Sequence, residues 1–143
     1  MMRRWMAAGV AAGLLMAAVP AQAQAAAAGP VNYTCGPGIN AHKGIEMTAT
    51  QRGNGAFAVL VKSTNRPYKG QNVFWVHGGQ LREGDRISLD WGDGYGHGYH
   101  SCHAKAKGGG AHTRGVNQPS GRWFRACLKS SNRWTCTKWF NVA

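Results

Sequence analysis

Four cysteines constrain the fold of this 143-residue chain more than any other feature: Cys35, Cys102, Cys127 and Cys136. All four follow an apolar leader. An even number of cysteines in a small exported protein indicates a disulfide framework rather than free thiols. No Cys-x-x-Cys pair is present, which disfavours a zinc site built from these thiols. We therefore expect two disulfides, for which three connectivities exist.

The spacing of the cysteines favours one connectivity. Cys127 and Cys136 flank a polar turn at residues 129–132 that separates two aromatic-rich segments, as expected for a disulfide-bridged hairpin. This pairing leaves Cys35 to bridge with Cys102. On the chain-entropy model, each bridge contributes about 3 to 4 kcal/mol to stability.

The first 23 residues predict a signal peptide. Arg3 and Arg4 precede the apolar run 5–19, and the small-residue motif Ala21-Gln22-Ala23 provides a cleavage site. The run is shorter than the roughly 20 residues that a membrane-spanning helix needs. We expect cleavage, secretion to the extracellular space, and a mature chain without a transmembrane segment.

Residues 24–30 form an Ala-rich stub that we expect to be disordered, and residues 31–143 are enough for one domain. Apolar residues alternate with polar ones at 45–49 and 86–91, which predicts half-buried strands with Ile45, Met47 and Ala49 on one face. The nearly continuous apolar runs 57–61 and 73–76 predict central strands that are covered on both faces.

Turn signals recur every eight to fifteen residues, and the 21 glycines disfavour long helices. The sequence therefore predicts an all-β domain. We expect a small antiparallel β-sandwich of immunoglobulin-like architecture or a small barrel.

Charge indicates the class of partner. The whole chain carries 17 basic and five acidic residues, and loss of the leader would remove two of the basic ones. Such an excess attracts anionic polymers and membrane surfaces without specific contacts.

The C-terminal hairpin provides the candidate binding site. A Cys127–Cys136 bridge fixes a register in which paired residue numbers sum to 263. Phe124, Ala126 and Leu128 would then share a core face with Trp139, Thr137 and Thr135. The opposite face would carry three cations and three aromatic residues: Trp123, Arg125, Lys129, Trp134, Lys138 and Phe140.

This register places Arg125 directly opposite Lys138. Like charges in that position are destabilising, which indicates either an anionic partner or a cation–π arrangement. Aromatic residues among cations also suit stacking on bases or sugars. The alternative is that the aromatic residues pack beneath neighbouring loops while the cations point into solvent.

Three histidines at His97, His100 and His103 form a possible Zn²⁺ or Cu²⁺ site. On a strand, however, His100 would point to the opposite face from the other two. We therefore expect no bound metal and no cofactor.

A ribonuclease-like site would need His100 or His103 to work with Glu46 or Glu83. The chain contains no Gly-x-Ser-x-Gly or His-Glu-x-x-His signature that would organise such residues. We therefore expect a non-enzymatic protein and keep a small hydrolase or nuclease as an alternative.

The segments 84–91, 124–127 and 136–139 together resemble small secreted actinobacterial proteins of unassigned function. The resemblance covers about residues 80–143. It implies export and β-structure, and it brings no active site.

These observations predict a monomeric, secreted, cationic protein that binds an anionic polymer, such as a cell-wall polymer, a nucleic acid or an acidic polysaccharide. A cell-surface component would offer the same chemistry. The alternative is an enzyme inhibitor or competition factor, in which disulfide-braced loops present residues to a protein target.

Overall fold

The computed structural model describes residues 35, 43–95 and 98–141. The predicted signal peptide and the Ala-rich stub lie outside these residues. The described part contains strands and turns and no helix, so it holds no helix that could cross a membrane. Its strands are β1 Gly44–Gln51, β2 Phe57–Ser63, β3 Val73–Gly79, β4 Arg86–Gly92, β5 His100–Lys105, β6 Ala111–His112, β7 Val116–Asn117, β8 Trp123–Ser130 and β9 Arg133–Cys136.

The strands form two antiparallel sheets that pack face to face as a sandwich. The first sheet has the order β1-β2-β3-β6, with β7 also pairing with β3, and the second has the order β5-β4-β8-β9. The prediction of an all-β sandwich is thus confirmed, and the alternative of a small closed barrel is wrong.

The core lies between the sheets, where Phe74 of β3 stacks on Phe124 of β8 with ring centroids 4.3 Å apart. Both rings are fully buried, and burial of such a side chain is worth about 1.5 to 3 kcal/mol. In β4, Ile87, Leu89 and Trp91 face this core. The core face predicted for β4 is confirmed, but the strand is not half-buried, because Ser88 and Asp90 on its other face are buried as well.

The central strands β2 and β3 are buried on both faces, as their continuous apolar runs predict. On their outer face, a second cluster consists of Val59, Val61 and Trp75, with Phe57 packed against it. The part of this outer face that these four residues form is therefore apolar.

The alternation predicted for β1 is wrong. Ile45 is 56% exposed and Ala49 is exposed, whereas Thr50 is buried. The register with β2 shifts between Glu46 and Thr48, which marks a β-bulge. An extra residue in a strand exchanges the inward and outward faces beyond it, and the sequence alternation does not reveal this change.

Both predicted disulfides are present: Cys35–Cys102 and Cys127–Cys136. Cys102 is buried in the core, and Cys35 packs against it, so the first bridge ties the segment before β1 to β5. The second joins directly opposed residues of β8 and β9, whose Cα atoms are 4.1 Å apart.

Candidate functional site

The outer face of the second sheet carries most of the residues that the sequence singled out. It is formed by every second residue of β4, β5, β8 and β9, because the alternate residues face the core. The pairings of β4 with β5 and with β8 bring together side chains that are distant in sequence.

The predicted hairpin register holds only near the turn. Paired numbers sum to 263 from Cys127–Cys136 to Ser130–Arg133. At the open end, however, Phe124 pairs with Phe140 and exchanges two backbone hydrogen bonds with it. The segment that follows β9 therefore contains one residue more than the predicted register allows. Beyond Thr137, its side chains lie on the opposite faces from those predicted.

Thr137 is where the regular ladder ends. Its backbone N–H still donates to the Ala126 carbonyl at 2.9 Å, but its hydroxyl accepts the Ala126 N–H that a backbone carbonyl would otherwise take. The same hydroxyl donates to the Lys138 carbonyl at 2.9 Å. These side-chain bonds satisfy the backbone while the chain shifts register.

The shift corrects two predicted positions. Phe140, predicted on the binding face, packs against the core, and its ring lies 6.3 Å from that of Phe74. Trp139, predicted in the core, instead stacks with Arg125. Of the remaining aromatic members, Trp134 is 44% exposed, whereas Trp123 is half-buried with its ring against Tyr95, which fits the alternative of packing beneath a neighbouring loop.

Arg125 faces a carboxylate across the β4–β8 pairing and is not directly opposite Lys138. Its Nε donates to Asp90 Oδ2 at 2.8 Å, and Lys138 is exposed. The other carboxylate oxygen of Asp90 accepts the hydroxyls of Ser88 and Ser101, both at 2.7 Å. Asp90 is 4% exposed, so these donors replace the water that it has lost.

Two aromatic rings enclose the Arg125 guanidinium. Its carbon lies 4.6 Å from the centre of the Trp139 ring and 4.9 Å from that of Tyr99. The cation–π arrangement predicted as one alternative is therefore present. Because Asp90 neutralises this cation, Arg125 is mainly a structural centre around which the aromatic residues assemble.

A row of cations crosses the same face at the other end of β4. Arg86 stands directly opposite Lys105 of β5 on one side and Lys129 of β8 on the other. The two ion pairs found among the described residues are Arg122–Asp93 and Arg125–Asp90, and neither involves this row. We call Lys105, Arg86 and Lys129 the cation row.

The row continues into two adjoining grooves at that end of the sandwich, each about 360 to 370 Å³ in volume. The first is lined by Arg82, Arg86 and Lys129, and the second by Arg52 and again by Arg82. The acids Glu83 and Asp85 also line the first groove. Asp85 is buried and accepts the Arg82 backbone N–H, whereas Glu83 is exposed.

The histidine candidates do not form a cluster in the part of the chain that the structure describes. His97 lies outside the described residues. His100 packs against the core residue Trp91, whereas His103 is exposed beside Trp134. They point to opposite faces of β5, as the strand alternation predicts.

Asp90 also lies close to the sulfur atoms of Cys127 and Cys136. Disulfide sulfurs carry no thiolate charge, so this group does not provide metal ligands.

Sequence reasoning found the cysteines and most of the aromatic residues but missed the partners of Arg125 and the cation row. The sequence does not specify which strands lie next to those that carry Asp90, Arg86 and Lys105.

Comparisons of the chain with protein-family models, curated proteins and solved structures gave no match.

Proposed function

We propose that this protein is a secreted, non-enzymatic module that binds an anionic polymer along the cation row and the adjoining grooves. The row is the observation that carries the proposal. Three cations lie on adjacent strands, and none of them is paired with an acid in the part of the chain that the structure describes. Such like charges destabilise the free sheet, and a bound anion would relieve their repulsion.

The dimensions of the row suit a chain of charges rather than a single ion. Neighbouring strands lie about 4.8 Å apart, so the row from Lys105 to Lys129 spans about 10 Å. Arg82 and Arg52 extend the positive surface around the end of the sandwich. A polymer with a regularly charged backbone would contact several of these cations at once.

Aromatic side chains next to the row would add contacts that depend less on charge. Trp134 stands opposite Lys129 across the hairpin and is exposed, with His103 beside it. Aromatic rings next to cations stack on the rings of bases or sugars while the cations neutralise the backbone. This combination favours a polymer of anionic sugars or nucleotides.

The test compares two double variants that remove the same charge. Arg86→Ser/Lys129→Ser removes two members of the cation row. Lys43→Ser/Arg114→Ser is the matched control, because both of its residues are exposed and lie outside the second sheet. Binding of heparin and of a single-stranded oligonucleotide is measured by fluorescence at 50 to 200 mM salt, with uncharged dextran as a negative control.

We expect the row variant to bind at least tenfold more weakly than the parent protein. The slope of log K against log salt for the single-stranded oligonucleotide should become shallower by about 1.4, because each of the two lost cations contributes about 0.7. The control should stay close to the parent protein. Equal losses in the two variants would mean that net charge, and not this face, determines binding. Affinity that does not change with salt would contradict the proposal itself.

A further inference from the structure

The outer face of the first sheet carries a histidine pair that the proposed polymer site does not use. His77 of β3 and His112 of β6 are directly opposed in an antiparallel pairing. Their neighbours in sequence, Gly78 and Ala111, are buried, so both imidazoles lie on the outer face. His112 is exposed and His77 is partly exposed, which gives an ion access to the pair.

The distance between the two rings suits a shared metal ion. The two Nδ1 atoms are joined by a hydrogen bond 3.2 Å long, in which one nitrogen carries the proton and the other accepts it, and the rings stack with an interplanar angle of 29°. Two imidazoles that bind one ion at about 2.0 to 2.1 Å and at a tetrahedral angle stand about 3.3 Å apart. Binding of an ion would break this hydrogen bond and move the Nδ1 proton to the Nε2 atom of the same ring or to water. A rotation about each Cβ–Cγ bond, where histidine has a broad preference, would then direct both lone pairs at the ion.

The surroundings of the pair hold it in place. The backbone ladder fixes both Cα positions, and on the other side His77 faces Val59, a member of the outer apolar cluster. Phe57 packs edge-on against the His77 ring, with centroids 5.9 Å apart. An apolar wall of this kind limits the access of water on one side and lowers the local dielectric constant.

Imidazole nitrogen selects for borderline transition metals over Mg²⁺ or Ca²⁺. For a given nitrogen site, affinity follows the order in which Cu²⁺ exceeds Ni²⁺ and Zn²⁺. Two protein ligands leave the other coordination positions to water or to a donor from a bound molecule. The site would therefore be open, like catalytic metal sites and unlike closed structural ones.

We propose that His77 and His112 form a surface site for a divalent transition metal, with Cu²⁺ bound most tightly. The site lies on a different sheet from the cation row, so it does not depend on the proposed polymer binding.

The experiment adds CuSO₄ to the purified protein and follows two readouts. Calorimetry gives the affinity of the parent protein and of the variants His77→Gln, His112→Gln and His100→Gln/His103→Gln. NMR with substoichiometric Cu²⁺ shows which backbone amides are broadened by the paramagnetic ion. Gln keeps a polar side chain at exposed positions, and far-UV circular dichroism confirms that each variant is folded.

We expect His77→Gln and His112→Gln each to weaken Cu²⁺ binding by more than about 10- to 100-fold. Loss of a group that only supports a metal ligand already costs that much, and these two residues would be the ligands themselves. The variant at positions 100 and 103 should retain this site, and broadening should concentrate on β3 and β6. Unchanged affinity in the His112→Gln variant would overturn the proposal. Broadening confined to residues around His100 and His103 would do the same, because it would place the ion on the second sheet.

Discussion

The Asp90–Arg125 pair gives the sharpest test of how the second sheet is stabilised. Replacing Asp90 by Ala removes a carboxylate whose side chain is 6% exposed and leaves the Arg125 charge on a face where its side chain is only 22% exposed. It also removes the acceptor of the Ser88 and Ser101 hydroxyls, and Ser88 is buried. The Arg125 guanidinium and the two serine hydroxyls would then all lack the carboxylate that accepts their hydrogen bonds.

The expected cost follows from these contacts. Removing one partner of a buried ion pair typically costs 3 to 5 kcal/mol. Arg125 keeps some solvent contact and two aromatic rings, so we place Asp90→Ala at the lower end, about 3 kcal/mol. In a domain of this size, that loss lowers the melting temperature by about 10 to 20 °C.

The assay is equilibrium unfolding in guanidinium chloride with both disulfides intact, and Glu46→Ala is the control. Glu46 is exposed and belongs to neither of the two ion pairs found among the described residues, so its loss should cost about 0.5 kcal/mol or less. A loss below about 1 kcal/mol for Asp90→Ala, or an equal loss for both variants, would refute the argument that the buried carboxylate organises this face.

Two further predictions concern stability and use the same unfolding assay. Replacing both cysteines of the Cys127–Cys136 disulfide by Ala should cost about 3 kcal/mol, and removal of the Cys35–Cys102 disulfide should cost about 4 kcal/mol, because the sequence separations are 9 and 67 residues. The reverse order would contradict the loop-length argument. Phe140→Ala should cost about 2 kcal/mol, whereas Trp134→Ala should cost less than about 1 kcal/mol, since only Phe140 packs on the core. Equal costs for the two variants would contradict the packing of the Phe140 ring against the core.

The sequence predicted those parts of the fold that local patterns encode. The continuous apolar run of β2 identifies a strand covered on both faces, because every side chain of such a strand must be apolar. The cysteine spacing identified both disulfides, since the polar turn before Cys136 allows a hairpin with Cys127.

The two bulges were not predictable in the same way. In β1, the register shift near Met47 leaves Ala49 exposed and Thr50 buried, and in the C-terminal segment Thr137 replaces a backbone acceptor with its hydroxyl. Neither position carries a glycine or a proline that would mark the irregularity. A bulge is selected by the long-range fit of a strand to its neighbour, and short-range periodicity does not contain that information.

The candidate site depends on long-range pairing even more strongly. Arg86, Lys105 and Lys129 are each an ordinary exposed cation within its own strand, and only the order β5-β4-β8 aligns them. The same order places Asp90 beneath Arg125 and so neutralises a cation that the hairpin alone would leave unpaired. Of the predicted cations, Lys129 is therefore the one that joins the hairpin to the proposed polymer site, whereas Arg125 holds Tyr99 and Trp139 in place. A substitution at Arg125 should act on binding through the positions of Tyr99 and Trp139 rather than through charge.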